Sequence, residues 1–140
     1  MPSRAQAADG EELARLYRRN HPGIPGTFKP EVEYQSQTFV VRGKEGIIGL
    51  ALVGCISYGL HRHGMVYELE VAQGADNYGV GRSLIDACLS WLTELGASRL
   101  WVAPATDQEC ARFGHLGFRQ GAAPGMFRLV PVQMARQVSA

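Results

Sequence analysis

The stretch from Met65 to Leu95, MVYELEVAQGADNYGVGRSLIDACLSWLTEL, constrains the fold more than any other part of the chain. Met65–Val71 carries β-branched and aromatic residues and runs into a segment rich in Gly, Asp and Asn, the pattern of a strand meeting a turn. Apolar residues then recur at Val80, Leu84, Cys88, Trp91 and Leu95, with Ile85, Ala87 and Leu92 widening the stripe. This spacing predicts an amphipathic helix from Gly81 to Leu95 with one face buried. Arg82, Asp86, Ser90 and Glu94 form the solvated face at steps of four, and Gly96 is placed to end the helix.

The turn Gly79-Val80-Gly81 allows two readings. Glycines make a tight strand-to-helix turn possible, and that alone accounts for them. The first turn of a helix also leaves backbone N–H groups without intrahelical partners, and its dipole favours negative charge. An anion such as a phosphate or pyrophosphate would then rest on Tyr78, Gly79, Val80, Gly81, Arg82 and Ser83.

Composition narrows the class. The 140 residues suffice for one domain, spanning 1–140, with its own core. With a formal net charge of +1, nothing global points to nucleic acid or an anionic membrane surface. No apolar run approaches the roughly 20 residues of a membrane helix, and MPSRAQAADGEEL lacks the apolar centre of a secretion signal. Cys55, Cys88 and Cys110 are scattered within apolar patterns. They read as free structural thiols, which suits a reducing cytoplasm better than disulfides or a metal cluster.

In chain order, residues 1–8 read as a short edge strand or loose chain. Asp9-Gly10-Glu11-Glu12 has the form of a capping box, and a helix follows to Asn20. From His21 to Gln37 the prolines and the lack of a period suggest a long loop, either a plain connection or one that shapes a substrate site. Thr38–Arg42 and Ile47–Tyr58 read as a hairpin around Gly43–Gly46, with Gly49 and Gly54 marking bulges or bends. Tyr58–Gly64 reads as a turn, and His61 and His63 lack a third metal ligand, so an exposed tip is expected there.

Arg99–Ala103 is a short strand, expected parallel to Met65–Val71 because a crossover helix joins them. Thr106-Asp107-Gln108-Glu109 caps a helix running to Leu116. Phe118–Gln120 and Met126–Val132 read as a closing hairpin, and 133–140 as a tail. The fold class is α/β, with a mixed, mostly antiparallel central sheet and helices on both faces.

The run Val71-Ala72-Gln73-Gly74-Ala75-Asp76-Asn77-Tyr78-Gly79-Val80-Gly81 resembles the acyl-CoA signature of the GCN5-related N-acetyltransferase (GNAT) superfamily, in which a strand-ending Val leads to Q/R-x-x-G-x-G/A and a helix. Phe113-Gly114-His115-Leu116-Gly117-Phe118 is similar to the family's Y-x-x-x-G-F. The resemblance covers residues 38–132. It implies that the two parallel strands splay and that an acyl-pantetheine arm enters the gap, pairing with Leu69–Val71 like an added strand. It also implies acetyl-CoA as donor, a small-molecule or peptide amine as acceptor, and a carbonyl held on the Val71 N–H. No motif sets the oligomeric state, and a homodimer is compatible.

Two positions depart from the family pattern. Asp76 stands in place of Gln or Arg, and Phe113 in place of the Tyr that protonates the departing sulfur. Water, Cys110 or His115 would then serve the sulfur. For the base, Glu68 and Glu70 share one face of the strand, while the family's usual position falls on Tyr67. Either a bulge near Val71 turns one of these carboxylates into the cleft, or both point away to solvent or to an Arg. Two functions follow: an N-acetyltransferase, or a silent acyl-CoA-binding regulatory or interaction module.

Overall fold

The structure, a computed structural model, describes residues 1–75, 77–121 and 133–138, with the backbone alone for Asn77, Tyr78 and Gln133. Asp76 and Met126–Val132, singled out above, lie outside the described residues. A 3-10 turn at Ala7–Asp9 leads into helix α1 (Gly10–Asn20). There follow strands β1 (Lys29–Gly43), β2 (Gly46–Gly59) and β3 (His61–Val71), helix α2 (Asn77–Glu94), strand β4 (Arg99–Val102), helix α3 (Asp107–His115), and strands β5 (Arg119–Gly121) and β6 (Gln133–Gln137). The sheet order is β1-β2-β3-β4-β6-β5, antiparallel except for the β3–β4 pair.

The long amphipathic helix forms, and its apolar stripe is the centre of the core. Leu84, Ile85, Cys88 and Leu92 are fully buried against Ala51, Val53, Val66 and Leu100 of the sheet. Two glycines let α2 lie this close. A Cβ on Gly49 would stand 2.6 Å from Val80 Cγ1, and one on Gly64 would collide with Leu92. Phe113 and Leu116 of α3 join the same cluster. On the other face, α1 stacks Tyr17 on His21 and sets it edge-on to His61.

Several boundaries differ from the expectations above, each for a physical reason. β1 begins at Lys29, not Thr38, so the loop covers only residues 21–28. As an edge strand it is exposed over most of its length and tolerates Pro30, and its residues 29–37 show no apolar run to be read. His61–Gly64 belongs to β3, and the turn is reduced to the point where Gly59 takes a positive φ of 54°. His61 and His63 are half-buried in an aromatic group with Tyr58, not an exposed tip.

α2 starts at Asn77, so Gly79 and Gly81 lie inside its first turns instead of forming a loop before them. The expected tail contains β6, whose Met134 is buried and whose Arg136 meets Asp86 of α2 at 3.8 Å. Residues 1–8 form no strand. Asp9 does not cap α1 with its side chain; its carboxylate instead accepts from the Gln6 N–H at 2.7 Å. Gly54 sits in regular register, where its missing side chain makes room for Tyr34.

Candidate active site

The site begins where β3 changes its company. His63, Gly64, Met65 and Val66 pair in parallel with Arg99, Leu100, Trp101 and Val102, and the pairing stops there. Beyond Val66 the two strands part. At the same point β3 bulges: Leu52 opposes Glu68 while Val53 opposes Val66, leaving Tyr67 as the extra residue. The bulge exchanges the strand's faces. Gly64 and Val66 before it, and Leu69 and Val71 after it, face α2, while Glu68 and Glu70 turn to the opposite face with Met65.

Backbone direction past the bulge follows from two hydrogen bonds. The Ala72 N–H donates to the Ile48 carbonyl at 2.7 Å, so that residue points toward β2. The Leu69 carbonyl accepts from Arg112 Nη2 at 2.8 Å, so it points the other way. Antiparallel pairing alternates the two directions residue by residue. Glu68 and Glu70 therefore bond β2, while the amides and carbonyls of Leu69 and Val71 open into the gap.

Among the described residues, β3, the end of β4, the N-terminus of α2, and α3 border that gap. Thr106 caps α3 by accepting from the Glu109 N–H at 3.1 Å, and the Glu109 carboxylate accepts in turn from the Ala105 N–H at 2.7 Å. This is the capping residue pair expected from the sequence. Phe113 is only 8% exposed and stacks edge-on against Phe118 at 5.5 Å. Arg112, one residue earlier, reaches across to β3. Its guanidinium also lies 5.5 Å from the Phe113 ring. Sequence reasoning missed Arg112. The available signal was its spacing, four residues before the buried Leu116 on a helix whose apolar face is narrow.

At the anion end, the first turn of α2 contains no acidic residue among those described, and Arg82 is exposed beside it. The N–H groups of Gly81, Arg82 and Ser83 fall within the helix and serve its own bonding. An anion would thus meet the first turn and the Arg82 side chain, a narrower set than the sequence suggested. Tyr67 is 54% exposed, and partial burial with a Tyr34 hydrogen bond raises its phenol above the usual range. It therefore keeps its proton near neutral pH and is unsuited to act as a base. Cys110 is half-buried one turn before Phe113, and His115 is exposed at the end of α3. Cavities of about 540 and 510 Å³ lie elsewhere, along α1 and beside Gly59–Arg62, away from this gap. Among the described residues no three His, Cys, Asp or Glu side chains are grouped to hold a metal.

Comparison with known proteins follows the same lines. A family model described as the acetyltransferase (GNAT) family matches residues 10–118. No curated protein sequence matches the chain. A GNAT-family acetyltransferase from Staphylococcus aureus superposes with a TM-score of 0.59 at 14% identity, over 98% of each chain. Nourseothricin acetyltransferase gives a TM-score of 0.60 at 24% identity, over 74% of this chain and 66% of that one. The ribosomal-protein-S18-alanine N-acetyltransferase from Escherichia coli gives 0.53 at 14% identity, over 99% and 93%. At such identities these structures establish a shared fold and nothing about substrates. The family model spans well over half of the sequence, and the chain belongs to the GNAT acetyltransferase family.

Proposed function

We propose that the protein is an acyl-CoA-dependent N-acetyltransferase that moves an acetyl group from acetyl-CoA to an amine on a small molecule or peptide. The observation that carries this reading is the open edge of β3 beyond Val66, set beside the N-terminus of α2. An extended pantetheine arm has the length and the amide spacing to add to that edge, meeting Leu69 and Val71 as a strand would. Its pyrophosphate would then lie at the first turn of α2 with Arg82. The fit is chemical as well as topological: the edge offers the Leu69 and Val71 amides as donors, and Arg82 beside the first turn offsets the charge of Asp76 in sequence before it.

Acetyl-CoA supplies an acyl carbon already activated as a thioester. The protein's own groups have three tasks. The Leu69 and Val71 amides hold and polarise the acyl oxygen. The fixed edge orients the acyl group toward the incoming amine. Glu68 and Glu70, on the face opposite α2, take the amine's proton directly or through water, and Tyr67 and Tyr34 beside them offer an aromatic surface for the acceptor. The related structures named above are a nourseothricin acetyltransferase and a ribosomal-protein-S18-alanine N-acetyltransferase, so both small-molecule and protein amines belong in an acceptor screen. Three free cysteines suit the cytoplasm as the place of action.

A second reading rests on Phe113, whose buried ring has no hydroxyl for the sulfur. It makes the protein an acyl-CoA-binding regulator that transfers slowly or not at all. Two measurements separate the readings. Millimolar acetyl-CoA raises the melting temperature under both, by mass action on the native state, and Gly81→Glu abolishes that rise. Thioester turnover with a panel of amines occurs only under the first. Absence of any thermal shift contradicts both.

A further inference from the structure

The loss of the phenol at position 113 leaves open what stabilises the departing sulfur, and a cation one residue away is built into the gap. Arg112 is anchored by its Nη2 on the Leu69 carbonyl at 2.8 Å. Along the strand edge that carbonyl lies between the Leu69 amide and the Val71 amide. Any acyl group held by either amide is therefore next to the guanidinium. Arg112 Nε is buried and, among the described residues, has no hydrogen-bond partner. A buried donor of a charged group without an acceptor is costly and calls for an explanation, of which a catalytic role is one. The residue is half-buried overall, with its guanidinium fixed at Nη2 by the strand.

We infer that Arg112 stabilises the sulfur as an anion, a positive charge standing in for the proton that a Tyr at position 113 would have donated. This rests on the acyltransferase reading above. In the transfer, the neutral amine nitrogen attacks the acyl carbon and the C–N bond forms as the C–S bond breaks. The C–S electron pair leaves on sulfur as the CoA thiolate, and the amine's proton passes to a strand carboxylate or water. An arginine does not give up its proton at neutral pH, so its part is charge stabilisation, not acid catalysis. Electrostatic help of this kind is strongest where water is excluded, as it is beside Leu69, which is 7% exposed.

The test reads the thiol of the product, not the rate alone. CoA bound to the protein is titrated by the ultraviolet absorbance of its thiolate, with desulfo-CoA as the blank, for the parent, Arg112→Gln and Arg112→Lys. The bound thiol should ionise about one pH unit or more lower in the parent than in Arg112→Gln, with most of the shift kept in Arg112→Lys. Turnover in Arg112→Gln should fall about 10²-fold, with KM for acetyl-CoA changed much less. If CoA fails to stabilise the parent at all, the acyltransferase reading itself is wrong. If CoA binds but its thiol ionises alike in parent and Arg112→Gln, that reading stands and this inference is overturned. Tighter CoA binding in Arg112→Gln, with an unmoved thiol, would make Arg112 a latch that the ligand displaces, which also overturns it. Should Arg112→Gln not fold, the parent still decides, because a bound thiol that ionises as in free CoA contradicts the proposal.

Discussion

The two halves of β3 are one strand in two different situations. His61–Val66 is paired on both sides, by β2 and, from His63 on, by β4, and its α2-facing residues Gly64 and Val66 are buried. Tyr67–Val71 is paired on one side alone, with Tyr67, Glu68 and Glu70 exposed and the amides of Leu69 and Val71 turned to the gap. The same strand thus supplies stability at one end and, among the described residues, an edge without a strand partner at the other. The change happens at a single bulged residue. Open edges of this kind are a hazard in a sheet, and here Arg112 of α3 reaches over it to the Leu69 carbonyl.

The largest effect separates the halves by stability. Leu100→Ala, opposite Gly64 and fully buried, should cost about 3 kcal/mol in chemical denaturation. Val71→Pro, which removes an amide that faces the gap, should cost well under that, because proline is tolerated where an edge N–H is not used in the ladder. It should nonetheless weaken acetyl-CoA binding by more than about ten-fold, the worth of one good hydrogen bond and more. Equal stability losses with unchanged binding would erase the distinction between the halves.

A smaller effect concerns the two residues on α3. If Arg112 serves the sulfur, Phe113→Tyr alone should change turnover less than about threefold. In the Arg112→Gln background the same change should recover about ten-fold. Equal gains in both backgrounds would mean the two positions act independently.

The smallest effect belongs to the doubly paired half. Burial holds the His63 imidazole below its ordinary range, with the charges of His61 and Arg99 adding to the shift. The unfolded chain therefore binds a proton that the folded chain resists, in the window from 6.5 downward to the lowered folded value. Stability should rise with pH across that window and fall as pH is lowered through it. Melting temperature should drop by about 2 °C or more between pH 7 and pH 5, and by less in His63→Phe. Identical slopes in the two proteins would remove His63 from the account.

Much of this was legible before any coordinates. The strand, crossover helix and parallel strand could be read because apolar period, glycine punctuation and handedness rules agree over residues 65–103. What escaped reading had its signal outside local sequence. Residues 29–37 of β1 and β6 at Gln133–Gln137 are mostly polar segments whose pairing is set by neighbours, not by their own period. The position of the bulge at Tyr67 depends on the register with Leu52 and Val53. The early start of α2 hides behind two glycines that resemble a loop, of which Gly81 is buried, with Leu116 3.7 Å from where its Cβ would stand. In the proposed site, the strand residues Leu69 and Val71 were singled out in advance, while the expected glycine turn is the first part of α2. Arg112 was not singled out, because its reach to Leu69 crosses 43 positions of sequence.

Amide hydrogen exchange of β3 by NMR, with and without acetyl-CoA, tests the central claim most directly. Leu69 and Val71 should exchange fast in the free protein and slow by about ten-fold or more with acetyl-CoA, while Glu68 and Glu70, already bonded to β2, stay slow in both. Protection that appears elsewhere, with Leu69 and Val71 unchanged at saturating acetyl-CoA, would contradict the account.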